Sequence, residues 1–209
     1  MQYIYNNYCK QTEIEVNSSV DKKALNMPSV ELKTKLLKEA FSFSLISELD
    51  EGTIQSCFET FIHNIDTIPP SVKGSVKGEA FSKLVHNELK KIERYNLQIY
   101  REKFPDNYPK CYERTIPDFY ITDGDKIVVL MCQLDFWSGG QQRIRGRSYV
   151  TKKPYKNFRF LSVICYKPSE VSLNPDGELF DMFNTGIYNK NLCYIKNMNG
   201  IILNHYGLN

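Results

Sequence analysis

One stretch limits the fold more than any other: IVVLMCQLDFW, residues 127–137. Side chains alternate across a strand. Val129, Met131, Gln133, Asp135 and Trp137 therefore share one face, and Val128, Leu130, Cys132, Leu134 and Phe136 the other. Both faces begin apolar, as in a strand covered on two sides. Such a strand belongs to a sheet with a layer packed above and below it. A second apolar run, FRFLSVICY at 158–166, predicts another buried strand. A short strand after Pro117 leads into the turn DGDK at 123–126, so it pairs with the 127–137 strand as a hairpin. LQIYREKF at 97–104 is a further strand candidate.

Helical patterns flank these strands. Ser29 can cap a helix running to about residue 49, and a second starts at Thr53 and ends before Pro69 and Pro70. The tandem tetrapeptides SVKGSVKG at 71–78 predict a flexible basic loop ahead of a third helix over 79–95. Residues 141–150 are helix candidates, and ELFDMF at 178–183 predicts a short helix or turn. NLCYIKNMNGIIL at 191–203 predicts a terminal hairpin turning at Asn199–Gly200. The fold class is mixed α/β: a small central sheet with helices on its faces, in a single domain over 1–209. Within it 1–70 is mainly helical and 167–209 is a C-terminal elaboration.

Composition narrows the setting. No apolar run is long enough to span a bilayer, and MQYIYNNYCKQTEIEV lacks the positive-then-apolar order of a signal peptide. The six cysteines form no CxxC pair and the histidines number three, which argues against structural zinc and for a reduced, cytoplasmic protein. Net charge is only +3, but it is concentrated. Residues 141–160 carry Arg143, Arg145, Arg147, Lys152, Lys153, Lys156 and Arg159 with no acid among them, interleaved with Tyr149, Tyr155 and Phe158. Lysine and arginine neutralise phosphates, and arginine and glutamine also read base edges. Gln141 and Gln142 stand just ahead of the arginines, and Lys73 and Lys77 are further candidate backbone contacts.

The 127–137 strand turns polar only at its end, at Gln133 and Asp135. A polar pair on a buried strand is costly unless satisfied. In the antiparallel hairpin Asp118 lies opposite that end, so Asp118, Gln133 and Asp135 can converge, with the Leu134 carbonyl as a further oxygen. Hard oxygen ligands of this kind suit Mg²⁺ or Mn²⁺, which share sites with phosphate oxygens. The same residues are equally those of a sheet edge in water.

Pro117-Asp118, a hairpin, and Gln133-Leu134-Asp135 closing an apolar strand resemble the motif of the PD-(D/E)XK nucleases, the superfamily with the restriction-endonuclease-like fold. The resemblance covers about residues 78–166, whose elements follow the family's α-β-β-β-α-β order. It implies Mg²⁺-dependent hydrolysis of double-stranded DNA in the manner of a type II restriction endonuclease, by a symmetric homodimer. Asp118 would be the central metal ligand, and Gln133 would hold the second acidic position. A glutamate of the preceding helix often joins the site, and here Glu79 is favoured over Glu88. The family's third position is usually lysine, but here it is Asp135. Asp135 would then be a second metal's ligand or a general base; Arg143 or Lys126 are candidates for the missing cation. Three alternatives stay open: a non-catalytic DNA-binding module with a degenerate site, a repair or junction nuclease that recognises DNA structure, and a helical-and-sheet interaction protein with no nucleic acid partner, against which the acid-free basic run at 141–160 speaks.

Overall fold

The structure, a computed structural model, describes residues 29–61, 68–109, 116–134, 150–151, 155–165 and 178–208. It divides into two compact units, Met1–Ala80 and Phe81–Asn209.

The first unit is helical. Helix α1 (Val30–Phe41) starts where the Ser29 hydroxyl accepts the Leu32 N–H at 3.3 Å, and it stops at Ser42, whose φ is 49°. A 3-10 turn (Ser44–Glu48) follows, so the expected single helix to residue 49 is broken. Helix α2 (Glu51–Phe61) is capped by Asp50, which accepts the Thr53 N–H at 2.8 Å and its hydroxyl at 2.9 Å. Leu37, Phe41, Phe43, Ile46, Ile54 and Phe58 are buried, and the Phe41 and Phe61 rings meet edge-on at 5.6 Å.

Helix α3 (Pro70–Lys90) crosses the division between the units. It absorbs 71–78, where the sequence predicts a loop. Pro70 at the first helical position has its φ preset for a helix and lacks an N–H that would be unsatisfied there anyway. The four-residue repeat also has helical spacing, placing Val72, Val76 and Ala80 along one stripe. Each glycine costs about 1 kcal/mol relative to alanine, which a helix continuing into buried Phe81, Val85 and Leu89 can bear.

The second unit holds a sheet of five strands in the order β1 (Gln98–Arg101), β2 (Phe119–Thr122), β3 (Ile127–Gln133), β4 (Phe158–Ile164) and β5 (Leu192–Tyr194). The pairs β1–β2 and β2–β3 are antiparallel, and β3–β4 and β4–β5 are parallel. The β2–β3 turn is held by Asp123, whose Oδ1 accepts the N–H groups of Asp125 (3.0 Å) and Lys126 (2.7 Å) around Gly124 at φ 100°. A parallel pair requires a crossover connection. That between β4 and β5 carries helix α4 (Glu178–Tyr188), and helix α5 (Ile195–Tyr206) follows β5 directly.

Both faces of the sheet are covered. On one, Val129, Met131, Phe158 and Phe160 pack with Tyr108, while Ile164 and Leu192 pack with Val150 and with Met182 and Phe183 of α4. On the other, the Phe119 ring meets His86 of α3 at 5.6 Å, and the Ile121 carbonyl accepts the Tyr206 hydroxyl of α5 at 2.7 Å. The fold is thus mixed α/β, with helices on both faces of a mixed sheet.

The terminal hairpin expected at 191–203 does not form. Only Leu192–Tyr194 is strand, and Asn199–Gly200 lies inside α5. Met198, Ile202 and Tyr206 recur every four residues and are all buried, so helical period decides over the Asn-Gly turn signal. Gly207, at φ 75°, ends the helix. Among the described residues, no helix is long and apolar enough to cross a membrane.

Gly186 of α4 gives a test of this packing. A Cβ there would lie 2.8 Å from Val150 Cγ1 and 2.9 Å from Leu192 Cβ. Overpacking costs about 1–3 kcal/mol, and alanine recovers about 1 kcal/mol of helix propensity. Gly186→Ala is expected to lower the melting temperature by a few degrees; a rise would show that α4 does not press on β5 as described.

Candidate functional site

Strand β2 begins at Phe119, opposite Leu130, so β3 runs on past it through Met131, Cys132 and Gln133. Asp118 fills that step. Its Oδ2 accepts the Cys132 N–H at 2.6 Å, replacing the backbone partner that β2 no longer offers. The ladder to β1 continues on the far side, where the Glu102 N–H donates to the Asp118 carbonyl at 3.0 Å. The hairpin therefore delivers the Asp118 carboxylate to the end of β3, as the sequence pattern predicts.

Gln133 is only 4% exposed. Its carbonyl accepts the Cys165 N–H at 3.0 Å, but neither Oε1 nor Nε2 has a hydrogen-bond partner among the described residues. By register it lies on the face of Met131, diagonal to Asp118, where side chains are typically about 7–8 Å apart at Cα. A buried amide of this kind ordinarily has partners.

Charge at this end of the sheet comes from two directions. Burial first, and then the Asp118 carboxylate, push the Cys132 thiol well above its ordinary range, while the Arg101 guanidinium pulls it back. Arg101 stands on β1 opposite Phe119, next to Asp118, and its guanidinium lies 3.2 Å from the Glu102 carboxylate. It also helps burial and Lys90 lower the pKa of His86. By the β1–β2 and β2–β3 registers Arg101 falls on the sheet face of Phe119, Leu130 and Cys132, the one opposite Gln133. Lys126 is not at this site: its ammonium donates to the His205 carbonyl at 3.2 Å, beside the opposite end of β3.

Thiolate ligation has little support here. Burial raises Cys165 to about 11 and Cys193 to about 12, so both are protonated at neutral pH. Among the described residues, Cys57, Cys132, Cys165 and Cys193 are free thiols. Among the described residues, no three His, Cys, Asp or Glu side chains gather closely enough to hold a metal ion. Asp118, Gln133 and Leu134 are described, and Asp135 lies outside the described residues.

Gln141, Gln142, Arg143, Arg145, Arg147, Lys152 and Lys153 also lie outside them, as does most of the helix expected at 141–150. Of the basic run, Lys156 is exposed, its ammonium 5.4 Å over the Tyr155 ring. Arg159 is half-buried and donates to the Lys190 carbonyl at 3.1 Å. Lys73 and Lys77 project from α3, with Lys77 5.6 Å over the Phe43 ring. Glu79 is on α3 in the first unit, and Glu88 pairs with Lys91 and lends its carbonyl to Asn199.

No protein-family model, curated protein or solved structure matches the chain. The class defined by the fold is mixed α/β, with the Asp118 carboxylate and the buried Gln133 amide at the overrunning end of its central strand among the described residues.

Proposed function

We propose that this chain is an Mg²⁺-dependent endonuclease of the PD-(D/E)XK type, cutting double-stranded DNA at a specific sequence as a type II restriction enzyme does. The observation that carries the reading is the buried Gln133 amide, unpartnered among the described residues, on a strand end where Asp118 supplies a carboxylate. The order of elements supports it: a helix, three antiparallel strands, then a strand parallel to the third.

The donor set fits the ion. Asp118, the Gln133 side-chain oxygen, the Leu134 carbonyl and Asp135 are hard oxygen ligands, and Gln133 has an acceptor that no described donor uses. Mg²⁺ held there, with Mn²⁺ as a substitute, would polarise a phosphoryl oxygen and lower the pKa of a bound water. Lys73, Lys77, Gln141, Gln142, Arg143, Arg145, Arg147, Lys152 and Lys153 hold the DNA, the cations through its phosphates and the glutamines at base edges. A homodimer would present one site to each strand of a palindromic sequence.

The test is a long mixed-sequence duplex incubated with the protein, in Mg²⁺ and in EDTA. Discrete fragments that require Mg²⁺ are expected. Fragments that depend on junctions or mismatches would identify a structure-specific nuclease instead. Intact DNA in both conditions, with salt-sensitive binding, would identify a DNA-binding module whose chemistry has been lost.

A further inference from the structure

A groove of about 680 Å³ opens on the sheet face that carries Val129 and Phe160. It lies at the hairpin end of β2 and β3, lined by Thr122 and Ile127, and so away from Asp118. One wall is a pair of stacked tyrosines, Tyr100 and Tyr120, with centroids 4.5 Å apart and planes within 16°. Lys103 is 5.6 Å over the Tyr100 ring. The opposite rim is Tyr155, 40% exposed, with Lys156 over its ring. Gln98 and Asn107 put amide side chains at the same groove.

The rims are built rather than incidental. Tyr155 and Phe158 exchange backbone hydrogen bonds of 3.1 and 2.8 Å around Lys156 at φ 51°, which fixes where Tyr155 stands. Across from it, the Tyr108 N–H donates to the Pro105 carbonyl at 3.2 Å, and Pro105 and Pro109 line the groove.

Each component favours one ligand chemistry. Flat aromatic walls bearing cations take a planar π-system. The Gln98 Oε1 accepts the Tyr100 hydroxyl at 2.8 Å, which leaves its Nε2 to donate, and with the Asn107 amide it can pair with the donor and acceptor edge of such a ring. The volume lies in the range of small-molecule pockets, about 300–1,000 Å³. We propose that this groove binds a single unpaired nucleobase in its nucleotide, stacked on the exposed Tyr155 ring across from the tyrosine pair and read at its edge by Gln98 and Asn107. As the place of a base in a DNA strand, it rests on the nucleic-acid reading above. Thr122 is four residues along β2 from Asp118, about 13 Å at ~3.3 Å per residue. That is about four nucleotide steps at ~3.4 Å each.

The experiment uses the full chain in EDTA, where binding is read without cutting. Fluorescence anisotropy compares a labelled duplex holding one base opposite an abasic position with its fully paired counterpart. Equilibrium dialysis measures the four free nucleoside 5′-monophosphates. The unpaired-base duplex is expected to bind about tenfold more tightly than the paired one, and Tyr155→Ala to remove that preference. Gln98→Leu, an exposed change on an edge strand, is the second variant, expected to weaken the preference severalfold. Tyr155-dependent binding of a free nucleotide without any duplex preference would assign the groove to a soluble nucleotide and keep the base site. No preference, no nucleotide binding and no effect of either variant would overturn it. Cleavage in Mg²⁺ is scored separately. A protein that cuts without preferring the unpaired base loses only the groove, and one with the preference that never cuts loses only the nuclease.

Discussion

The Asp118→Asn protein is expected to keep its fold and to lose about a thousandfold or more of the Mg²⁺-dependent DNA cleavage proposed for the parent. Asparagine preserves the shape of the side chain and an oxygen that can accept the Cys132 N–H, now accepted at 2.6 Å by the carboxylate. It removes the negative charge. A metal ion contributes several kcal/mol of charge stabilisation to phosphoryl transfer, and each ~1.4 kcal/mol is a factor of ten in rate. Alanine is the less clean variant, because it also strands the Cys132 N–H at the cost of about 1–3 kcal/mol. The Asn variant should therefore melt within a few degrees of the parent and fail in the cleavage assay, while the Ala variant fails in both. Cleavage by Asp118→Asn within tenfold of the parent would remove Asp118 from the metal site. It would leave the carboxylate as the cap of a strand end.

Much of the sheet was legible because its strands are locally written. Ile127 to Cys132 is apolar on both faces, and β3 is buried on both. Residues 158–164 behave likewise. The hairpin joining β2 to β3 rests on Asp123 and Gly124, two neighbours whose turn chemistry is intrinsic. That hairpin is also why the approach of Asp118 to the end of β3 was predictable: antiparallel register follows from the turn. The failures lie where two local signals compete. At 71–78 the glycines favour a loop, yet Pro70 and the four-residue repeat favour a helix, and burial farther along α3 tips the balance. At 199–200 an Asn-Gly pair sits on a stripe of Met198, Ile202 and Tyr206, and burial of the stripe prevails. The register that sets Arg101 on the far face from Gln133, and the tyrosine groove, were invisible for another reason. They gather residues as far apart as Gln98 and Phe158 through strand pairings that no local window contains.

Gln133→Met is expected to move stability and activity in opposite directions. The native amide is buried on a strand end, with both polar atoms unpartnered among the described residues. An unsatisfied buried polar group costs about 1–3 kcal/mol, and an apolar side chain of similar shape avoids that cost. At about 2–4 °C per kcal/mol for a chain of this size, the metal-free variant should melt several degrees higher than the parent. Its cleavage should fall, because a thioether is a poor ligand for Mg²⁺. Gln133→Glu supplies the complementary result. A carboxylate in this place is destabilising alone, so the EDTA form should melt below the parent. Mg²⁺ should then raise its melting temperature by more than the parent's, since an ion that binds only the folded state stabilises it. A packing role for Gln133 predicts the reverse pattern: Gln133→Met destabilised, and Gln133→Glu indifferent to Mg²⁺. Thermal melts of the three proteins, with and without the ion, separate the two explanations without any assumption about the DNA sequence that is cut.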